Sequence, residues 1–292
     1  MTLPRDDILL QFEQVAFRYA DGNTGLDGCS LDILRGSRNA LLGANGSGKT
    51  TLFQHANGLL RPTTGTVRYA GQPVDYGRNG LRELRSRVGM LFQNPDRQLF
   101  SASVAEDVSF GPLNLGLDDD NVRRRVAAAL AAVGLADIGE RPVHQLSFGQ
   151  KKRVCIAGVL AMHPELLVLD EPKAGLDPAM QADLLAILDD LHEQGMSILL
   201  STHDVDFAYR WADHIHIMAA GRCVASFPAG ELPQRIAELA AAGLPLPSVI
   251  PLHARLAAQG LVPAEPRPRS TDALLAMLPG ALQPEEKPCT IA

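Results

Sequence analysis

Apolar and polar residues alternate from Ile8 to Tyr19 and again from Leu26 to Arg35, with Asp21-Gly22-Asn23 between the two runs. Alternation at period two across a turn predicts a pair of antiparallel strands. Asn39 to Leu42 is a short, mostly apolar run that leads directly into a cluster of glycines, and Lys49 to Leu60 reads as the helix leaving that cluster. Further strands are predicted at Gly65–Tyr69, which ends at a turn near Gly71-Gln72-Pro73, and at Val88–Phe92. From about 94 to 162 the pattern becomes mostly helical. Asp118-Asp119-Asp120 place negative charge at the start of an Ala- and Arg-rich helix that stops near Gly134, a polarity the helix dipole favours. Ser147 opens a second helix. Strand and helix then alternate through Leu166–Leu169, Pro178–Gln194, Ser197–Ser201, Val205–Ala212 and His214–Ala219. Short apolar strands alternating with helices predict a parallel sheet covered on both faces, an α/β fold.

Beyond Gly221 the character changes, because eleven of the twenty prolines lie there. Glu231–Ala242 and Leu252–Ala258 are predicted as short helices, and the stretch from Pro263 as loosely ordered at its very end. The expected organisation is a main domain at 8–221, with its helical part at about 94–162, and an accessory region at 222–292. Composition adds exclusions. A net charge of −6 argues against nucleic acid as a partner. Cys29, Cys155, Cys223 and Cys289 are far apart and form no CxxC pair, so neither a disulfide framework nor a zinc site is expected. Asp6 and Asp7 stand where a secretory leader would be basic, and no apolar run approaches the ~18–20 residues that span a bilayer. A soluble, cytoplasmic chain is expected, with any membrane span supplied by a partner.

The chemistry begins at Gly43-Ala44-Asn45-Gly46-Ser47-Gly48-Lys49-Thr50. A phosphate needs many donors close together. Glycines let the backbone aim successive N–H groups inward, and the helix after Gly48 adds its positive end. Lys49 suits the β/γ oxygens of ATP and the Thr50 hydroxyl suits Mg²⁺. The second half is Leu166-Leu167-Val168-Leu169-Asp170-Glu171, an apolar strand that ends in two acids at the edge where open α/β sheets bind ligands. Asp170 can hold the Mg²⁺ shell, leaving Glu171 to orient or deprotonate the attacking water.

Leu146-Ser147-Phe148-Gly149-Gln150 resembles the Leu-Ser-Gly-Gly-Gln signature of ABC-type ATPases. Gln93 after an apolar strand, Gly175-Leu176-Asp177 after the acids and His203 at the end of the next strand follow in that family's order. The resemblance covers residues 8 to about 221. It implies a P-loop NTPase core with an N-terminal antiparallel β-subdomain, a helical signature subdomain and a small C-terminal extension. It also implies catalytic roles for Glu171, His203 and Gln93, with Mg²⁺ held by Thr50, Gln93 and Asp170. The implied nucleotide contacts are Tyr19, stacking on adenine, then Gly43 through Thr50 with Thr51, and Ser147, Gly149, Gln150 and Asp177. In this family each ATP is sandwiched between one chain's loop and the signature of a second chain, head to tail. Ser147 and Gly149 would donate to the γ-phosphate across the interface and Asp177 would communicate between the two sites, so a single chain carries an incomplete site.

Gln93-Asn94-Pro95-Asp96-Arg97-Gln98-Leu99-Phe100 and Glu106-Asp107-Val108-Ser109-Phe110-Gly111-Pro112 resemble energy-coupling-factor importers, as does Leu146 to Gly158. Within that branch Phe110-Gly111-Pro112-Leu113-Asn114-Leu115-Gly116-Leu117 is most similar to the cobalt/nickel transport ATPases. The implied protein is a peripheral ATPase on the cytoplasmic face of the membrane. It would act as a homodimer, or with a closely related ATPase, beneath an integral transmembrane subunit and a substrate-binding membrane subunit. Cobalt is the first expectation for the cargo, with nickel or a vitamin as alternatives. A soluble ABC ATPase acting on DNA or the ribosome is the non-transport alternative. Two residues depart from the pattern: Phe148 replaces a signature glycine, and Lys173 stands where Thr or Ser is common. His214 and His216, two apart on a strand, suggest a metal pair, but without a third ligand nearby they read as ordinary strand residues.

Overall fold

The computed structural model describes residues 7–278. The chain opens with β1 (Ile8–Arg18) and β2 (Thr24–Leu34), then β3 (Arg38–Leu42) runs through the glycine loop into α1 (Lys49–Ala56). β4 (Thr64–Tyr69), β5 (Gln72–Pro73), α2 (Arg78–Arg87) and β6 (Val88–Leu91) follow. Three helices come next, α3 (Val104–Asn114), α4 (Asp119–Ala132) and α5 (Phe148–Leu160). The alternating part comprises β7 (Leu166–Leu169), α6 (Pro178–Glu193), β8 (Ser197–Thr202), α7 (Val205–Trp211), β9 (His214–Ala219) and β10 (Arg222–Pro228). It is followed by α8 (Ile236–Ala241), α9 (Val249–Ala258) and α10 (Thr271–Leu275).

The strands form two sheets. One is antiparallel, in the order β2-β1-β4-β5, and the other has six strands in the order β10-β9-β3-β8-β7-β6. Pairing in the second is parallel from β9 to β6, and β10 joins antiparallel to β9. The central strands are buried on both faces, and successive side chains enter different cores. Ala40, Leu42, Leu167 and Leu169 pack with the helices α3 to α7, whereas Leu41, Leu166 and Val168 pack with α1 and the antiparallel sheet. The expected parallel sheet with two covered faces is therefore present.

Several elements differ from expectation. α1 stops at Ala56 instead of Leu60, because Gly58 takes φ +67° and turns the chain. Glu231–Ala242 divides into a 3₁₀ segment, Ala229–Gln234, and α8. α2 and α10 are elements the hydrophobic pattern did not predict, as is β10, which carries the sheet past Gly221. Phe227, Leu232, Leu239, Val249 and Leu274 from this region join the same core as the helices. The very end of the stretch from Pro263, expected to be loosely ordered, lies outside the described residues. His216 is fully buried, its Nδ1 2.8 Å from Ser226 Oγ and its Nε2 3.1 Å from Asn39 Oδ1, so both ring nitrogens already serve the core. Among the described residues no three His, Cys, Asp or Glu side chains are grouped to hold a metal, and no helix is long and apolar enough to cross a membrane.

Candidate active site

The loop between β3 and α1 is shaped by close approach. Gly43 and Gly48 adopt φ +155° and +105°, and a Cβ on them would lie 2.5 Å from the Met218 carbonyl oxygen and 2.7 Å from that of Gly25. Gly46 has open space around it but holds φ +78°, which an L side chain resists. The loop thus wraps the N-terminus of α1, leaving backbone N–H groups without helical partners facing a cleft. Lys49 folds back over this turn, its Nζ donating to the carbonyls of Gly43 (2.7 Å) and Ala44 (3.1 Å). Burial lowers the Lys49 pKa, and the charges of Glu171 and Asp170 act in the opposite direction. A buried ammonium held only by carbonyls, with two acids close by, is a cation available to an incoming anion.

β7 delivers the acids to the facing wall. Thr50 Oγ1 donates to Asp170 Oδ2 at 2.6 Å, and Ser201 Oγ donates to Asp170 Oδ1 at 2.7 Å. Ser201 also accepts from the Glu171 N–H at 2.8 Å. Glu171 itself is left-handed at φ +46°, which turns its carboxylate out of the strand direction and toward His203, whose Nδ1 is 3.1 Å from Glu171 Oε2. The Glu171 side chain is 16% exposed and that of His203 80%, so the carboxylate is sheltered and the imidazole is free to reorient.

These walls enclose an open cleft of about 720 Å³. Tyr19, Asn45, Gly46, Gly48, Lys49, Thr50, Thr51, Gln93, Asp170, Glu171 and His203 all line it, so one cleft gathers most of the residues expected from the sequence. Gly43 and Ser47 are buried behind the lining, and Ala44 contributes its carbonyl to Lys49. Tyr19 is tied by its hydroxyl to Thr51 Oγ1 (2.8 Å) and packs edge-on against Phe17, which fixes a ring at the cleft mouth.

Four expected residues stand elsewhere. Ser147 caps α5, accepting from the Gln150 N–H (3.2 Å) while Gln150 Oε1 accepts from the Ser147 N–H (3.1 Å). Asp177 caps α6 by accepting from Met180 N–H. With Gly149 these lie on other helix starts and are absent from the lining of the cleft. Ser201 is a positioning residue the sequence reading missed. Its only signal is its place two residues before His203 on a strand beside β7. Gly25 was missed too, although a Cβ there would lie 2.9 Å from the Tyr19 ring and 2.8 Å from Thr51.

A family model described as ABC transporter matches residues 26–174, a span running from β2 past the acid pair. The energy-coupling factor transporter ATP-binding protein EcfA of Methanocaldococcus jannaschii is 45% identical over 257 residues, 88% of this chain and 92% of that protein. The chain belongs to the ABC transporter family. Among solved structures, cbiO1 from Clostridium perfringens, described as part of the ABC transporter complex cbiONQ, superposes with a TM-score of 0.72 at 42% identity. That match covers 85% of this chain and 99% of that one. An ATP-binding cassette solved as a dimer bound to ADP and Pi gives a TM-score of 0.68 at 25% identity over 76% of this chain and 99% of its own. The chain is accordingly an ABC ATPase that binds and hydrolyses ATP, and the cleft between loop and acids is where its geometry suits that chemistry.

Proposed function

We propose that this ABC ATPase is the motor subunit of an energy-coupling-factor importer, with cobalt as its first candidate cargo and nickel or a vitamin as alternatives. The observation that carries the reading is the cleft itself, where the anion-binding loop faces an acid pair whose second member, Glu171, is sheltered beside His203. The likeness to EcfA over nearly the whole chain supports the choice of branch. The likeness to cbiO1 and the stretch Phe110 to Leu117 support a cobalt or nickel cargo. In this reading the chain lies at the cytoplasmic face of the membrane, beneath an integral transmembrane subunit and a substrate-binding membrane subunit.

The chemistry follows from the residues. ATP enters with its base against Tyr19, where stacking is worth roughly 1–3 kcal/mol. Its phosphates lie along the loop, and Lys49 exchanges its two carbonyl partners for the β/γ oxygens. Thr50 Oγ1 and the Asp170 carboxylate are hard oxygen donors already in contact, and they fit Mg²⁺, which needs only one or two protein oxygens and keeps its remaining waters. Gln93 stands at the rim as a further amide oxygen. Bound there, the ion would offset charge on the β- and γ-phosphates. Glu171 accepts a proton from the attacking water as that water forms its bond to the γ-phosphorus and the bond to the bridging oxygen breaks. His203, exposed at the cleft, contacts the γ-phosphate. Ser147, Gly149, Gln150 and Asp177 would act on the cleft of a second copy of the chain, as a head-to-tail homodimer or with a closely related ATPase.

Glu171→Gln tests the core of this reading. It keeps the shape and removes the base, so ATP binding should persist while steady hydrolysis falls by ~100-fold or more. Undiminished turnover would remove Glu171 from the reaction. Uptake of Co²⁺ against Ni²⁺ by the reconstituted complex tests the cargo.

A further inference from the structure

Glu171 holds a left-handed backbone conformation that a non-glycine residue keeps only where its surroundings fix it. The segment after it is held from two sides. Ala174 N–H donates to the Glu171 carbonyl (3.0 Å), and the buried Lys152 donates through Nζ to the carbonyls of Pro172 and Ala174, both at 2.6 Å. Lys173 reaches the other way. Its Nζ stands 2.7 Å from Asp204 Oδ2 and 4.3 Å from the centre of the Phe207 ring, an ammonium paired with a carboxylate and resting on an aromatic face.

Asp204 is placed to use that contact. Its other oxygen, Oδ1, accepts from the Phe207 N–H (2.9 Å) and caps α7, while its own N–H donates to Thr202 Oγ1 (3.1 Å). Burial raises the Asp204 pKa, but the Lys173 hydrogen bond and charge and the α7 cap outweigh it and hold the carboxyl below its usual range. Lys173 lies two residues after Glu171, and Asp204 lies next to His203. The ion pair therefore joins the two loops that carry the Glu171–His203 contact. His203 is mostly exposed and gains little from side-chain packing, so its position depends on where its backbone is anchored.

We propose that the Lys173–Asp204 pair is a positioning latch for ATP hydrolysis, holding Glu171 and His203 in register with each other beside the cleft. The latch rests on the reading of those two residues as the hydrolytic pair. It gives a role to the lysine that departs from the family's Thr or Ser. Neither Lys173 nor Asp204 lines the cleft, so losing the latch should change turnover far more than nucleotide affinity.

The test is steady-state hydrolysis and ATP affinity of the full chain, with melting temperature, for wild type, Lys173→Met, Lys173→Arg, Asp204→Asn, the Met/Asn double variant and Glu171→Gln. Met keeps the stem over Phe207 and Asn keeps the cap, so each removes the charge contact with least other damage. Each single change should lower kcat by roughly tenfold with KM and ATP affinity within about twofold. The double variant should be no slower than the worse single, and Arg should recover most of the rate, because one shared interaction is lost only once. Wild-type kcat in both single variants, with Glu171→Gln inactive, would overturn the latch and leave the hydrolytic pair standing. Effects that multiply in the double variant would also overturn it. Full turnover in Glu171→Gln would remove the hydrolytic pair and the latch with it.

Discussion

The imidazole of His216 is enclosed between β3 and β10, and burial pushes its pKa down to about 3, with the charge of His214 adding to the effect. In the unfolded chain the same group would titrate near 6.5. Between those values the unfolded state binds a proton that the folded state refuses, so stability is full above about 6.5 and is lost as pH falls toward 3. The slope from this residue is at most about 1.4 kcal/mol per pH unit. Burial lowers the pKa values of His55 and His214 as well, which adds to the same trend. Urea denaturation at pH 7.5 and 5.5 should show a clear loss of stability at the lower pH. His216→Gln should start less stable and lose less over that interval. Equal losses in both proteins would show that His216 takes up its proton alike in the folded and unfolded chain. At this scale the sequence was informative wherever the residue type itself limits the chemistry, as with Lys49, Asp170 and Glu171. It was silent on Ser201, because a serine at the end of a strand has many ordinary uses. Only the neighbouring β7 turns its hydroxyl toward Asp170.

At the scale of elements, the strand–loop–helix unit from β3 to α1 was legible because apolar burial, glycine and helix start occur in sequence order. Gly48→Ala tests that unit. The added Cβ would stand 2.7 Å from the Gly25 carbonyl in a residue held at φ +105°, so the loop must deform. The expected result is at least ~10-fold weaker ATP binding, with a stability loss of about 1–3 kcal/mol by thermal melting. ATP affinity equal to wild type would show that the loop tolerates a side chain where it meets β2. Other elements left little trace in the pattern. α2 carries four arginines and buries only Leu84, so no apolar run marks it in the sequence. β10 is half exposed and finds its place through β9, a pairing no local alternation reveals.

For the whole molecule, the separation of Ser147, Gly149, Gln150 and Asp177 from the cleft matters most. If those residues act on a second copy, two defective chains can repair each other. Ser147→Ala removes a signature donor, and with it a helix cap worth about 1 kcal/mol. Lys49→Ala removes the loop cation. Each variant alone should hydrolyse ATP very slowly, whereas mixing them should restore measurable turnover, because the mixed dimer contains one intact loop facing one intact signature. An inactive mixture whose mixed dimers are verified by mass would count against a shared site. The sequence by itself determined the phosphate loop, the acid pair, the order of the motifs and the alternating α/β pattern, since each rests on residue types and spacing within a few positions. Tertiary structure decided what depends on contacts between distant segments. It set Thr50 and Ser201 on the two oxygens of Asp170, tied Lys173 to Asp204, carried the sheet beyond Gly221, and left the signature outside the cleft. Those outcomes depend on which strands lie side by side and how closely they approach, and that is settled only when the whole core packs.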